Sequence, residues 1–175
     1  LEEPALGSIL HAIEVPKVGG DTLFASQYAA WDALSPGLQK TLESLRAIHS
    51  AAEEYGARGA SSKKRASMDS EVVGDDVPEY EHPVVRTHPE TGRKGLYVNP
   101  AFTLRFAGWT KKESRPLLEY LFEVCRREAF TCRFRWQKGS LAFWDNRCVW
   151  HFALNDYHGQ RRHMRRVTVN GDKVR

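Results

Sequence analysis

Apolar and polar residues alternate most clearly in FTCRFRWQ, residues 130–137. Phe130, Cys132, Phe134 and Trp136 fall on one face, and Thr131, Arg133, Arg135 and Gln137 on the other. A period of two predicts a half-buried strand. SILHAIEV (8–15), bounded by Gly7 and Pro16, reads as another strand, and Gly19-Gly20-Asp21 turns the chain into a third. Two short helices follow. Ser35 and Pro36 supply an N-cap and a first-turn proline for the second, with Leu38, Leu42 and Leu45 on one face. LRAIHS (45–50) returns to strand character. Pro83 to Thr87 and Lys94 to Val98 flank Pro89-Glu90-Thr91-Gly92, a hairpin. Thr110 to Glu113 form a capping box ahead of a stripe of Leu117, Leu118, Leu121, Phe122 and Cys125. Pro116 argues for a regular helix beginning nearer Ser114. SLAFWDN, CVWHFA and RHMRRVTVN close the chain as strand after strand.

Strands do not alternate with helices, so a doubly wound parallel sheet is not expected. The pattern predicts a mainly β fold with flanking α-helices, an antiparallel sandwich or barrel. Residues 1–175 read as a single domain. Between residues 51 and 81 the chain is polar, small and mixed in charge, without a usable period. That stretch is expected to be a mobile loop or lid, or an insertion without function.

Composition narrows the picture a little. The chain is 41% hydrophobic and 27% charged, which is globular rather than disordered. Its net charge of +4 tolerates anionic ligands without demanding nucleic acid. The excess is local: Arg161, Arg162, Arg165 and Arg166 fall within six residues. Cys125, Cys132 and Cys148 show no paired spacing, so a reducing, cytoplasmic setting is expected. No apolar run approaches the ~18 residues of a membrane span, and no signal peptide is visible.

The candidate chemistry lies in WDNRCVWHFALNDYHGQRRHMRR, residues 144–166. Strand parity sets His151 on one face with Val149 and Ala153, opposite Trp150 and Phe152. It also sets Arg162 and Arg166 on one face of the next strand, roughly 13 Å apart at ~3.3 Å per residue. Two guanidiniums near a histidine can hold two separate anions, since the planar fork matches a carboxylate or sulfonate. A structural histidine and a solvated, arginine-rich edge strand would give the same local pattern.

GGDTLF (19–24), HPVVRTHPETGRKGLYVNPAF (82–102) and the 144–166 block, in that order and spacing, resemble the taurine dioxygenase (TauD/TfdA) family. The likeness runs along nearly the whole chain outside the 51–81 loop. It implies a double-stranded β-helix, or jelly roll. It further implies dependence on Fe(II) and on 2-oxoglutarate as co-substrate, with O2 consumed and succinate and CO2 released as a small anionic substrate is hydroxylated. By that resemblance His151 is an iron ligand, and Thr22 and Arg162 bind 2-oxoglutarate. Arg166 grips the substrate's anionic group, Phe102 walls its pocket, and no catalytic residue is implied beyond the iron site. The family commonly assembles as dimers or tetramers.

One part of the family pattern is missing. The His-x-Asp/Glu pair that completes the iron site does not occur in register. The match His88-Pro89-Glu90 falls in a hairpin turn, where the family has no ligand, and His82 and His88 read as turn or strand residues. The expectation is a jelly roll incomplete at its N-terminal end: the C-terminal part of a longer enzyme, carrying one of three iron ligands and inactive alone. Two further classes compete with it. One is an inactive module binding 2-oxo acids or sulfonates. The other is a nucleic-acid-binding domain using RRHMRR and Lys63-Lys64-Arg65, which scattered acidic residues disfavour.

Overall fold

The computed structural model describes residues 1–52 and 77–174. The expected loop or lid at 51–81 therefore lies mostly outside the described residues, as do Lys63 to Arg65. The elements are β1 (Gly7–Glu14), β2 (Thr22–Ser26), α1 (Gln27–Asp32), α2 (Pro36–Glu43), β3 (Arg46–His49), β4 (Tyr80–Pro83), β5 (Val85–Thr87) and β6 (Lys94–Leu96). They continue with β7 (Thr103–Phe106), α3 (Lys111–Cys125), β8 (Thr131–Phe134), β9 (Leu141–Asp145), β10 (Val149–Ala153) and β11 (His163–Val169).

All strand pairs are antiparallel. One sheet has the order β11-β1-β9 and a second β10-β2-β8; β4-β3-β7 and the β5-β6 hairpin lie to the side. The first two sheets face each other. Trp144 of β9 packs against Phe24 of β2 at 5.4 Å and against His151 of β10 at 4.8 Å between ring centroids. Crossing between sheets at each step is the jelly-roll manner of limiting open edges. Among the described residues, no helix is long and apolar enough to cross a membrane.

The main core lies on the other side of β10. Leu42 of α2, Ala47 of β3, Phe106 of β7, and Leu118, Leu121 and Cys125 of α3 form one buried cluster with Trp31 and Leu96. Trp150 packs on that cluster and against Phe122 at 6.2 Å. Its neighbour His151 consequently points to the opposite face, as strand alternation requires.

Three elements differ from the sequence expectation. Helix α3 starts at Lys111 and carries Pro116 inside it. Proline, here in the second turn, removes the bond to the Lys112 carbonyl, which is exposed so that water can satisfy it. The reciprocal Thr110–Glu113 capping box holds the start, and Ser114 turns inward to accept the Phe106 N–H at 3.0 Å. The stretch expected as one strand from Pro83 to Thr87 is broken at Val84, which is fully buried. The alternating run at 130–137 is a strand only from Thr131 to Phe134, with Phe130 ending a 3-10 turn.

Replacing Leu121, fully buried in the main cluster, by alanine is expected to cost about 2–5 kcal/mol through lost burial and the cavity left behind. The midpoint of urea denaturation measures it.

Candidate functional site

The space between the two facing sheets gathers most of the residues singled out in the sequence. Cross-strand pairing sets His151 opposite Phe24, and Ala153 opposite Thr22, so Thr22, Phe24 and His151 share one face of β10-β2-β8. On the facing sheet, Arg166 pairs across from Leu10, and Trp144 across from Ser8. Phe102 is half-buried on the turn entering β7, a strand of neither of these two sheets.

The turn ahead of β2 is built for close approach. Gly19 and Gly20 both have positive φ, 84° and 72°, which side-chain-bearing residues rarely adopt. A Cβ on Gly20 would also lie 3.1 Å from Cδ of Arg162, so its absence lets the arginine lie flat across the turn. Arg162 Nε donates to the Gly20 carbonyl at 3.0 Å, and its guanidinium sits 5.9 Å from the Trp136 ring centroid. Trp136 in turn donates its indole N–H to the Thr22 hydroxyl at 2.9 Å, leaving the hydroxyl proton free to be donated. Asp156 accepts the Gly20 N–H at 2.7 Å, and Lys17 N–H bonds Gln160 at 3.1 Å. These contacts fasten the segment leading into Arg162 onto the glycine turn. Burial lowers the Arg162 pKa from its usual value. Neither Arg162 nor Arg166 forms an ion pair with a carboxylate among the described residues; their hydrogen bonds go to the Gly20 carbonyl and the Ser8 hydroxyl.

His151 is solvent-exposed on one side yet closely surrounded. Desolvation first, and the positive charge of Arg166 second, pull its pKa down to about 4. It is therefore neutral near pH 7, the form in which an imidazole nitrogen can ligate a metal.

A different cluster has the outward look of a metal site. The ligand atoms of His88, Asp145 and Cys148 all lie within 4.8 Å of one another. Their hydrogen bonds argue against that use. Asp145 accepts from Arg147 through Nε, Nη2 and the backbone N–H, at 2.6–3.0 Å, and from His88 Nε2 at 3.0 Å. His88 Nδ1 accepts the N–H groups of Glu90 and Thr91 at 3.3 Å, which places the ring proton on Nε2. The nitrogen facing Asp145 is thus a donor, and both carboxylate oxygens are taken. Arg147 reaches on to Glu90 at 3.0 Å. The group latches the 88–92 turn onto the β9–β10 hairpin. The histidine and glutamate of His88-Pro89-Glu90 accordingly reach different partners, Asp145 and Arg147.

Among the described residues, then, His151 is not joined by two further ligating side chains. Sequence reasoning did not find Ser8, Asn146, Asp145, Arg147 or Asp156. Their partners lie from 2 to 158 residues away, and most carry no local signature.

The Asp145 carboxyl is held down to about pKa 2: burial would raise it, but hydrogen bonds from Arg147 and His88 outweigh that. A lowered folded-state pKa gives stability that is present above the unfolded value near 3.8 and lost as pH falls through about 2. The penalty of Asp145→Asn should therefore be largest at neutral pH and shrink as pH falls from about 4 to about 2. Urea midpoints of both proteins across that range test it.

Comparison with known proteins follows the same geometry. Residues 1–168 match the family model described as taurine catabolism dioxygenase TauD, TfdA family. The chain is 38% identical over 95% of its length to the alpha-ketoglutarate-dependent 2,4-dichlorophenoxyacetate dioxygenase of Cupriavidus pinatubonensis, covering 56% of that protein. It is 36% identical over 94% of its length to the alpha-ketoglutarate-dependent sulfate ester dioxygenase of Pseudomonas putida, covering 55% of it. The crystal structure of AAD-2 in complex with Mn(II) and N-oxalylglycine superposes with a TM-score of 0.83 at 30% identity, over 99% of this chain and 66% of that one. The chain spans about half the length of the curated relatives it matches.

Proposed function

This chain belongs to the TauD, TfdA family of taurine catabolism dioxygenases, and we propose that it serves Fe(II)- and 2-oxoglutarate-dependent hydroxylation of a small anionic substrate, with succinate and CO2 as co-products. The observation that carries the reading is the pair of arginines, Arg162 and Arg166, facing the inter-sheet space with neutral oxygens as partners. Arg147, which ties two turns of the fold together, meets carboxylates instead.

The Arg162 end fits 2-oxoglutarate. The guanidinium and the Thr22 hydroxyl are both donors, both placed by Trp136 and the glycine turn, and together they suit the distal carboxylate of a 2-oxo diacid. Arg166 then takes the substrate's anionic group, and Phe102 borders the substrate. His151 is the residue of this chain that would hold iron. A full donor set for the metal is not among the described residues. When bound, iron with 2-oxoglutarate and O2 supplies the oxidising power. The chain's share is to fix two anions so that one C–H bond points the same way at every encounter.

The named activities of the relatives support an anionic substrate class, since a sulfate ester and an aryloxyacetate both present a negative head group. Taurine and other alkylsulfonates, sulfate esters and aryloxyacids are the candidates. A second reading, a module that binds these anions without turnover, rests on His151 lacking companion ligands among the described residues.

The test, made with a full-length protein, is succinate release dependent on Fe(II), 2-oxoglutarate and one of those substrates. Arg162→Ala should lower it about 100-fold, the loss expected when a charge-assisted carboxylate pairing of about 3 kcal/mol is removed. Binding of 2-oxoglutarate without succinate would select the binding module. Release indifferent to Arg162→Ala would sink the assignment of the clamp.

A further inference from the structure

A polar chain runs behind the substrate side of the site. Ser8 lies on β1 two residues before Leu10, the cross-strand partner of Arg166, and on the same face. Its side chain is fully buried. Its hydroxyl oxygen accepts from Arg166 Nη2 at 2.9 Å and from Asn146 Nδ2 at 3.5 Å. Asn146 is itself anchored: its N–H donates to the Leu6 carbonyl at 2.8 Å, and its side-chain oxygen accepts from Trp144 Nε1 at 2.8 Å. The Trp144 ring then lies 4.8 Å from His151.

The chemistry of the central link decides what this chain does. Arg166 is exposed, and a long exposed side chain needs a fixed acceptor if its guanidinium is to stay in one place. A carboxylate at that point would hold it more strongly. It would also neutralise the charge and compete with an incoming anion. A buried hydroxyl orients the guanidinium and leaves its charge and remaining N–H donors to a ligand. Asn146 supports the hydroxyl from the other side without adding charge.

We propose that Ser8 is a positioning residue for the substrate-anion clamp. Its buried hydroxyl holds Arg166 by a neutral bond, and Asn146 and Trp144 tie that bond to the wall beside His151. This rests on the reading of Arg166 as the group that grips the substrate.

Binding separates this role from a merely structural one. The affinities of taurine, of 2,4-dichlorophenoxyacetate and, with Mn(II), of N-oxalylglycine are measured by calorimetry on the wild-type chain, Ser8→Ala, Ser8→Asp and Arg166→Met. Ser8→Ala should weaken the anionic probe that the wild type binds by about tenfold, while N-oxalylglycine affinity stays unchanged. Ser8→Asp should weaken that probe further, although it offers Arg166 a stronger partner. If Ser8→Ala does not fold, Ser8→Cys, similar in volume but a poorer acceptor, is expected to show a smaller loss of the same sign. Equal weakening of N-oxalylglycine, or probe binding indifferent to Ser8 while Arg166→Met abolishes it, overturns the proposal and leaves the functional reading standing. A wild-type chain that binds none of the probes, or whose probe affinity Arg166→Met leaves unchanged, overturns that reading and this proposal together.

Discussion

The placement of Trp144 between two sheets is the constraint on which this end of the molecule depends. An indole 7% exposed contributes a large hydrophobic gain, but its N–H must find an acceptor or oppose burial. Asn146, two residues on, supplies that acceptor within the same hairpin. With the ring thus oriented, one contact goes to Phe24 and another to His151. Sheet separation, the orientation of the histidine ring and the shape of the β9–β10 turn all follow from one packed side chain. The latch of Asp145, Arg147 and His88 fixes the same hairpin from outside, so the turn is held on both flanks.

Arginines in this fold divide by the oxygens they meet. Arg147 pairs with Asp145 and Glu90, Arg86 with Asp172, and Arg133 with Asp21. For the buried Arg147 and Arg86 a carboxylate offsets the cost of withdrawing the cation from water, while the exposed Arg133 joins β8 to the turn before β2. Arg162 and Arg166 instead meet a carbonyl and a hydroxyl. Neutral acceptors fix direction while leaving charge uncompensated, which is the condition for holding an exchangeable anion. Desolvation lowers the Arg162 pKa and outweighs the nearby charges of Tyr157 and Asp21, neither of which pairs directly with the guanidinium.

Those distinctions mark how far the sequence could be read. Local signals were legible: the capping box at Thr110, the hairpin through Gly92 and the caps around Pro36 all specify structure within four residues. The face shared by His151, Val149 and Ala153 was legible too, because a strand has one period and Trp150 had to reach the core. Pro116 misled because the carbonyl its missing N–H leaves unpaired, that of Lys112, is exposed to water, and exposure is not written locally. Ser8 and Asp156 were not legible at all. A serine in an apolar strand and an aspartate in a loop are ordinary until Arg166 and Gly20, 158 and 136 residues away, arrive beside them.

On the proposed reading, the two clamps leave substrate choice to other residues. A guanidinium meets sulfonate, sulfate and carboxylate with similar forks, and Ser8 does nothing to separate them. The charge of Arg166 accordingly supplies affinity for a class, consistent with relatives named for a sulfate ester and for an aryloxyacetate. Discrimination within the class must come from groups touching the apolar body of the substrate, where one methylene changes selectivity by about 1–3 kcal/mol. Phe102 is a candidate for such a wall, and it stands on the turn into β7, a strand of a different sheet from β11. Separating the clamps from the walls lets turns change the substrate while β1, β9 and β11 keep the chemistry aligned.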